Sequence, residues 1–154
     1  EHIANRNSAN KSDVLMFFDY PADEDIMQNL MTTVAPDAIH YMRYQNNKYN
    51  EEQILKMFSG MIRYTCNTLN GNFDLERAST ALGVNNPVIE IMLEMFEDTG
   101  MIKIKERNED AFNIEFLQSV ELSKALHTMK YAEFVELMNT INDYKNKFMT
   151  IDIV

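Results

Sequence analysis

The sequence predicts a mixed α/β and α+β chain, in which a small βαβ unit is followed by a winged-helix domain and C-terminal helices. An apolar run, an amphipathic stretch and a second apolar run come first, which is the order of a parallel strand-helix-strand unit. Three helical segments and two alternating segments then follow in the order typical of a winged helix. Helical periodicity continues to the end of the chain. We therefore expect domains at residues 1–46, 47–118 and 119–154.

In the first domain, the apolar residues 14–18 stop before Pro21 and predict a buried strand. Residues 23–34 have helical spacing and begin with three acidic side chains, which the positive end of a helix dipole favours. Residues 38–44 predict a second strand, and a polar break follows at 45–50. Two parallel strands cannot cover their own faces and edges, so we infer that this unit completes a sheet or docks on a neighbour.

The winged-helix prediction depends on the start and stop signals of three helices. Asn50, with Gln53 three residues later, predicts a capping box at the start of a long helix. Asp74 and Gly83 are suited to the beginning and end of a short second helix. Pro87 is expected at the first position of the third helix, because proline is favoured there.

Residues 101–105 and 111–116 alternate between apolar and polar side chains, which predicts a β-hairpin after the third helix. Helical stripes return after residue 119, and their register changes near residues 128–131. A break or kink is expected at that point.

The composition restricts the function. The chain has 24 acidic and 14 basic residues and a net charge of -10, so as a whole it repels nucleic acid and anionic membranes. Its single cysteine, Cys66, excludes an internal disulfide framework and fits a reducing compartment, so we expect a cytoplasmic protein. No apolar run approaches the roughly 18 residues of a membrane span. Because the first residue is Glu1 rather than Met, we expect a piece of a longer protein.

The third helix of the predicted winged helix lacks Lys and Arg and carries four acidic residues. Such a helix would be repelled by phosphates in the major groove, so a scaffold or protein-docking role is favoured over DNA reading. The alternative is an independent DNA-binding or transcriptional regulator domain. A weak contact to a nucleic-acid backbone would use four cations: Arg77, Lys103, Lys105 and Arg107.

No catalytic, cofactor-binding or metal-binding residue is predicted. Asp19 is the strongest lone candidate for a hydrolytic site, since it ends the first strand, but Asp before Tyr-Pro is also typical of a turn. Cys66 is expected to pack as a small hydrophobic residue. His2, His40 and His127 are far apart in the sequence, and we expect a partly buried structural role for His40 and His127.

The 12 methionines are expected mostly in the core, although methionine-rich faces also form adaptable docking surfaces. The methionines considered for such a surface are Met27, Met31, Met57 and Met92.

Three segments resemble a known family. Residues 14–21 form an apolar strand ending in Asp-x-Pro; residues 73–104 read FDLERASTALGVNNPVIEIMLEMFEDTGMIKI; residues 126–141 read LHTMKYAEFVELMNTI. Together they resemble the C-terminal accessory domain of the RecJ-type single-stranded-DNA-specific exonucleases of Gram-positive bacteria. The chain differs at residues 116–124, which lack the proline-rich basic connection expected of relatives.

The resemblance implies a parent nuclease, a hydrolase of DNA repair and recombination that degrades single-stranded DNA from the 5′ end. In that family Mn²⁺ or Mg²⁺ is bound by an Asp-His-His-type core, and no segment here matches those motifs. No cofactor is therefore expected in this chain. The expected partner is the catalytic core of the parent or a repair protein, with nucleic acid bound weakly if at all and no membrane.

Overall fold

The computed structural model describes residues 3–42 and 50–149. The chain divides into two compact units. The first unit consists of Glu1–Lys48 and Thr140–Val154, and the second consists of Tyr49–Asn139.

The described residues form a mixed α/β structure with six helices and two small sheets, which confirms the predicted fold class at that level. The first elements are β1 (Val14–Phe17), α1 (Glu24–Val34) and β2 (Ala38–Tyr41). They are followed by α2 (Glu51–Thr68), β3 (Asn72–Asp74), α3 (Leu75–Leu82), α4 (Asn86–Asp98), β4 (Ile102–Arg107) and β5 (Ala111–Phe116). The last are a 3₁₀ helix (Leu122–His127) and α5 (Tyr131–Met149).

The first unit contains the predicted strand-helix-strand order. Strands β1 and β2 pair in parallel, with Val14 opposite Ala38 and Phe17 opposite Tyr41. The expectation that β1 is buried is wrong, because only Phe17 of this strand is buried. Side chains alternate between the two faces of a sheet, and here helices cover one face. Residues 43 and 44 of the predicted second strand and residues 45–49 of the polar break lie outside the described residues.

The covered face of β1 and β2 forms the core of the first unit. Phe17 and Tyr41 stack with their ring centroids 5.7 Å apart, and Phe148 of α5 lies 5.4 Å from the Tyr41 ring. Tyr144 donates a hydrogen bond to Glu24 over 2.7 Å. Burial and this hydrogen bond raise the pKa of Tyr144. These contacts fix α1 and the end of α5 against one side of the strand pair.

The second unit begins with the predicted capping box. The Gln53 backbone N–H donates to Asn50 Oδ1 over 2.8 Å, and the Asn50 N–H donates to Gln53 Oε1 over 3.3 Å. Asp74 caps α3 by accepting the Arg77 N–H over 2.9 Å, and α3 ends at Gly83 with a left-handed backbone. Both caps confirm the sequence signals.

Helix α4 begins one residue earlier than predicted, so Pro87 occupies its second position and Asn85 precedes it. Strand β3 was not predicted, because three residues are too few to show alternation. It joins the hairpin in an antiparallel sheet of order β3-β5-β4. The hairpin contains a bulge between Ile104 and Glu106.

Helix α4 is the central element of the second unit's core. It packs against α3, β4 and the 3₁₀ helix. The Phe58 ring of α2 lies 5.4 Å from the ring of Phe96 and 5.6 Å from that of Phe73. The buried residues of α4 are Val88, Ile89, Ile91, Met92, Leu93, Met95 and Phe96.

The break expected near residues 128–131 is present, since the 3₁₀ helix ends at His127 and α5 begins at Tyr131. Contacts place residues 119–139 in the second unit and Thr140–Val154 in the first. The C-terminal helices therefore contribute to both units.

Candidate functional site

The first unit exposes the other face of its strand pair, which we call the outer face. Side chains alternate between the two faces along a strand, and residues paired across two strands lie on the same face. The outer face therefore consists of every second residue of β1 and β2, together with one residue just after each strand. The residues of the outer face are Val14, Met16, Phe18, Ala38, His40 and Met42.

The outer face is apolar and exposed. Its four large hydrophobic residues have exposed fractions between 39% (Met42) and 51% (Val14). Parallel strands ordinarily have both faces covered, and in the described residues β1 and β2 pair only with each other. The outer face therefore has the composition of a buried sheet surface, and each of its strands has one edge that pairs with no other described strand.

The histidines do not have the expected buried role. His40 lies exposed on the outer face, and His127 is exposed in the 3₁₀ helix. Periodicity gives the face on which a residue lies but not whether that face is covered, so it could not separate a packed histidine from an exposed one. His2 lies outside the described residues.

The methionines considered for a docking surface differ in their exposure. Met27 and Met92 are buried in the cores, so neither is available to a partner, whereas Met57 is exposed. Met31 is partly buried against the core of the first unit. The methionines of the outer face, Met16 and Met42, were not among the expected ones. For Met16 the reason is that residues 14–18 were predicted to be a buried strand.

Helix α4, the third helix of the predicted winged helix, has little exposed surface. Only Pro87, Glu90 and Asp98 of this helix are exposed, and the 3₁₀ helix packs against it. A helix that enters the major groove needs a free face bearing donors for the base edges. In this structure α4 presents mainly carboxylates and an apolar, buried surface.

The predicted nucleic-acid contacts on β4 are partly neutralised within the chain. The Arg107 guanidinium lies 3.0 Å from Glu94 and 3.9 Å from Glu97. Lys105 Nζ lies 3.5 Å from a carboxylate oxygen of Glu115. In the part of the chain that the structure describes, Lys103 on β4 and Arg77 on α3 form no ion pair. Of the four cations predicted to contact nucleic acid, only Lys103 and Arg77 are therefore without an ion pair among the described residues.

We expect the chain to form no shifted complex with single- or double-stranded oligonucleotides in a gel-shift assay at low salt. The net charge of -10 and the internal pairing of Arg107 and Lys105 leave little attraction for phosphates. A complex that weakens with added salt, and is lost in the Lys103→Ala variant, would contradict this expectation.

Glu94 on α4 has a structural role that the sequence did not indicate. Its carboxylate accepts hydrogen bonds from Lys130 and Arg107, so it connects α4 to the hairpin and to the segment that precedes α5. These hydrogen bonds, with that from Lys130 the stronger influence, lower the pKa of Glu94 below its ordinary value of 4.5.

The Glu94→Gln variant is expected to have a weaker dependence of stability on acid. A carboxyl whose pKa is lower in the folded chain stabilises the fold above its unfolded pKa and loses that contribution as the pH falls through the folded pKa. Thermal unfolding between about pH 6 and about pH 3 should therefore show a smaller decrease in Tm for the variant than for the wild type. Equal decreases would show that the Glu94 ion pairs contribute nothing to folding.

Asp19 and Cys66 do not have the surroundings of reactive groups. Lys145 Nζ lies 3.2 and 3.3 Å from the two carboxylate oxygens of Asp19, which therefore belongs to an ion pair within the first unit. Cys66 is partly buried, its Sγ lies 4.0 Å from the Ile114 carbonyl oxygen, and burial raises the pKa of its thiol. A raised pKa reduces the thiolate fraction and thus the nucleophilicity.

Across residues 3–42 and 50–149, no three His, Cys, Asp or Glu side chains converge in a way that could hold a metal ion. In the same residues, no helix combines the length and apolar character needed to cross a membrane. Comparisons with protein-family models, curated proteins and solved structures found no match. The resemblance to the RecJ-type domain therefore depends on the three quoted segments alone.

Proposed function

We propose that the chain is a non-catalytic, protein-docking accessory domain of a RecJ-like 5′–3′ single-stranded-DNA exonuclease that acts in cytoplasmic DNA repair and recombination. The observation that carries the docking role is the exposed apolar outer face of β1 and β2. The parent enzyme is proposed from the resemblance of the three segments. The proposed partner of this chain is the catalytic core of that exonuclease or a repair protein.

The outer face supports docking because its exposure costs free energy that a partner can recover. Each square ångström of apolar surface removed from water contributes about 25 cal/mol. The patch combines flexible methionines with Val14 and Phe18, a composition that adapts to an apolar partner surface. Its single ionisable side chain, His40, leaves the outer face nearly free of the charge found on the rest of the chain.

We propose that the second unit is a winged helix used as a scaffold. Support comes from the order α2, β3, α3, α4, β4, β5 and from the pairing of β3 with the hairpin. The coverage of α4 by the 3₁₀ helix and the pairing of Arg107 with Glu94 favour this role over an independent DNA-binding domain.

The test adds the chain to a RecJ-type catalytic core that lacks its C-terminal domain and measures the processivity of degradation of single-stranded DNA. We expect the wild-type chain to raise processivity. We expect the Met16→Glu variant to have no effect, because a carboxylate at the centre of the outer face would have to be buried unpaired on docking.

The control is Met129→Glu, which places the same charge on a methionine that is 97% exposed and belongs to the second unit. This variant should act like the wild type. A wild-type chain without effect on binding or degradation, or equal activity of the two variants, would contradict the proposal.

A further inference from the structure

Three side chains of the outer face carry atoms that bind metal ions. They are the thioether sulfurs of Met16 and Met42 and the ring nitrogens of His40. Met16 is paired with His40 across the two strands, and Met42 follows His40 by two positions. At the usual spacings of a β-sheet, the backbone of His40 lies about 4.8 Å from that of Met16 and about 6.6 Å from that of Met42. The three side chains therefore project from one small area of the sheet.

Met42 lies just after β2, yet its backbone is held in line with the strand. Its N–H donates to the Phe17 carbonyl oxygen over 3.1 Å, which continues the parallel pairing of β1 and β2. The hydroxyl of the buried Tyr20 donates to the Met42 carbonyl oxygen over 2.8 Å. These two hydrogen bonds fix the backbone of Met42, so its side chain lies on the same face as that of His40.

All three side chains are accessible to an ion from solvent. Met16 and Met42 are 43% and 39% exposed, and His40 is exposed as well. In the part of the chain that the structure describes, the His40 ring forms no hydrogen bond or ion pair, so a ring nitrogen is available to a metal. Methionine has three rotatable bonds, which allow both sulfurs to turn toward an ion bound beside the imidazole.

The chemistry of these donors selects the class of ion. Thioethers are soft ligands that favour Cu(I), and imidazole also binds copper, whereas Mg²⁺, Ca²⁺ and Mn²⁺ prefer oxygen ligands. None of the six residues of the outer face is Asp, Glu or Cys, the residues that join histidine in most zinc sites. All three donors are uncharged and offset no charge of the ion, so a singly charged ion is bound at a lower desolvation cost than a divalent one.

We propose that Met16, His40 and Met42 form a Cu(I) site on the outer face, in which two thioether sulfurs and one imidazole nitrogen bind the ion. The copper is bound in its reduced state, and no electron is transferred. The site goes beyond the proposed docking function and does not depend on it, because the chain itself supplies all three ligands.

The test is a competition for Cu(I) between the whole chain and the chelator bicinchoninate, with ascorbate present to keep the copper reduced. We expect one tightly bound Cu(I) per chain. Met16→Leu and Met42→Leu preserve apolar volume and remove a sulfur, and each should weaken the affinity about tenfold or more. Loss of a group that only supports a metal ligand already costs about 10–100-fold in affinity. The His40→Gln variant should lose at least as much.

The matched control is the pair His127 and Met129, which repeats the spacing of His40 and Met42 in the second unit. The His127→Gln and Met129→Leu variants should bind Cu(I) like the wild type. The Cys66→Ser variant should also retain the affinity, which separates the proposed site from the single thiol of the chain.

Methionine-methyl NMR locates the ion when Ag(I), a soft ion of the same charge that does not change its oxidation state, replaces Cu(I). The signals of Met16 and Met42 should shift with the first equivalent of Ag(I), before that of Met129. The proposal is overturned if Met16→Leu binds Cu(I) as tightly as the wild type, if Cys66→Ser abolishes binding, or if the first equivalent of Ag(I) shifts Met129 instead.

Discussion

Replacing Gly71 by alanine is expected to destabilise the second unit by about 2–4 kcal/mol. Gly71 has a φ of +81°, a conformation that is strained for alanine, and its added Cβ would lie 2.1 Å from the Ile114 carbonyl oxygen. That oxygen belongs to the backbone of β5, the central strand of the sheet. Gly71 also accepts a hydrogen bond from the Ile114 N–H over 2.9 Å. Relief of the clash would therefore disturb the pairing that holds the sheet together.

The matched control is Gly60→Ala, the same substitution on the exposed side of α2. An added Cβ there meets nothing within 4 Å, so this variant should be more stable than the wild type by about 0.4–1 kcal/mol. Urea denaturation followed by circular dichroism measures both changes. Equal stabilities of the two variants would contradict the conformation assigned to Gly71.

The Phe58→Ala variant is expected to lose about 3–5 kcal/mol of stability. Phe58 is fully buried, and its ring contacts the rings of Phe73 on β3 and Phe96 on α4. Removing it leaves a cavity where three elements of the second unit meet. In a domain of this size, such a loss is a large part of the total stability.

Tyr64→Ala is the control, since it removes an exposed ring from the same helix and should change stability by no more than about 0.5 kcal/mol. Denaturation followed by methionine-methyl NMR separates the units, because Met92 reports on the second core and Met27 on the first. The prediction is contradicted if Phe58→Ala still shows the native Met92 signal at the denaturant concentration that unfolds half of the wild-type chain. That result would show that the core of the second unit does not depend on the Phe58 ring.

Local signals in the sequence predicted the helices well. The Asn50 capping box, the Asp74 cap and the Gly83 terminus involve residues within a few positions of one another, so their chemistry can be read from a short stretch. Strand β3 lacks such a signal. Its three residues become a strand only by pairing with β5, and this partner is distant in the sequence.

The candidate site was less accessible to prediction. Residues 14–18 are all apolar, so the sequence could not indicate that Phe17 is buried while Met16 is exposed. The ion-pair partners of Glu94 and Asp19 could not be predicted either. Lys130 and Lys145 are distant from them in the sequence and approach them only in the folded chain. Two of the four acidic residues of α4, Glu94 and Glu97, form ion pairs with cations of the same unit.

The most direct test of docking by the outer face is a titration of the methyl-labelled chain with the RecJ-type catalytic core, followed by methionine-methyl NMR. Met16 and Met42 report on the outer face, and Met129 is an exposed reference in the second unit. We expect the signals of Met16 and Met42 to shift or broaden in proportion to the core added, while the Met129 signal stays unchanged. Unchanged Met16 and Met42 signals at saturating core would contradict the central claim.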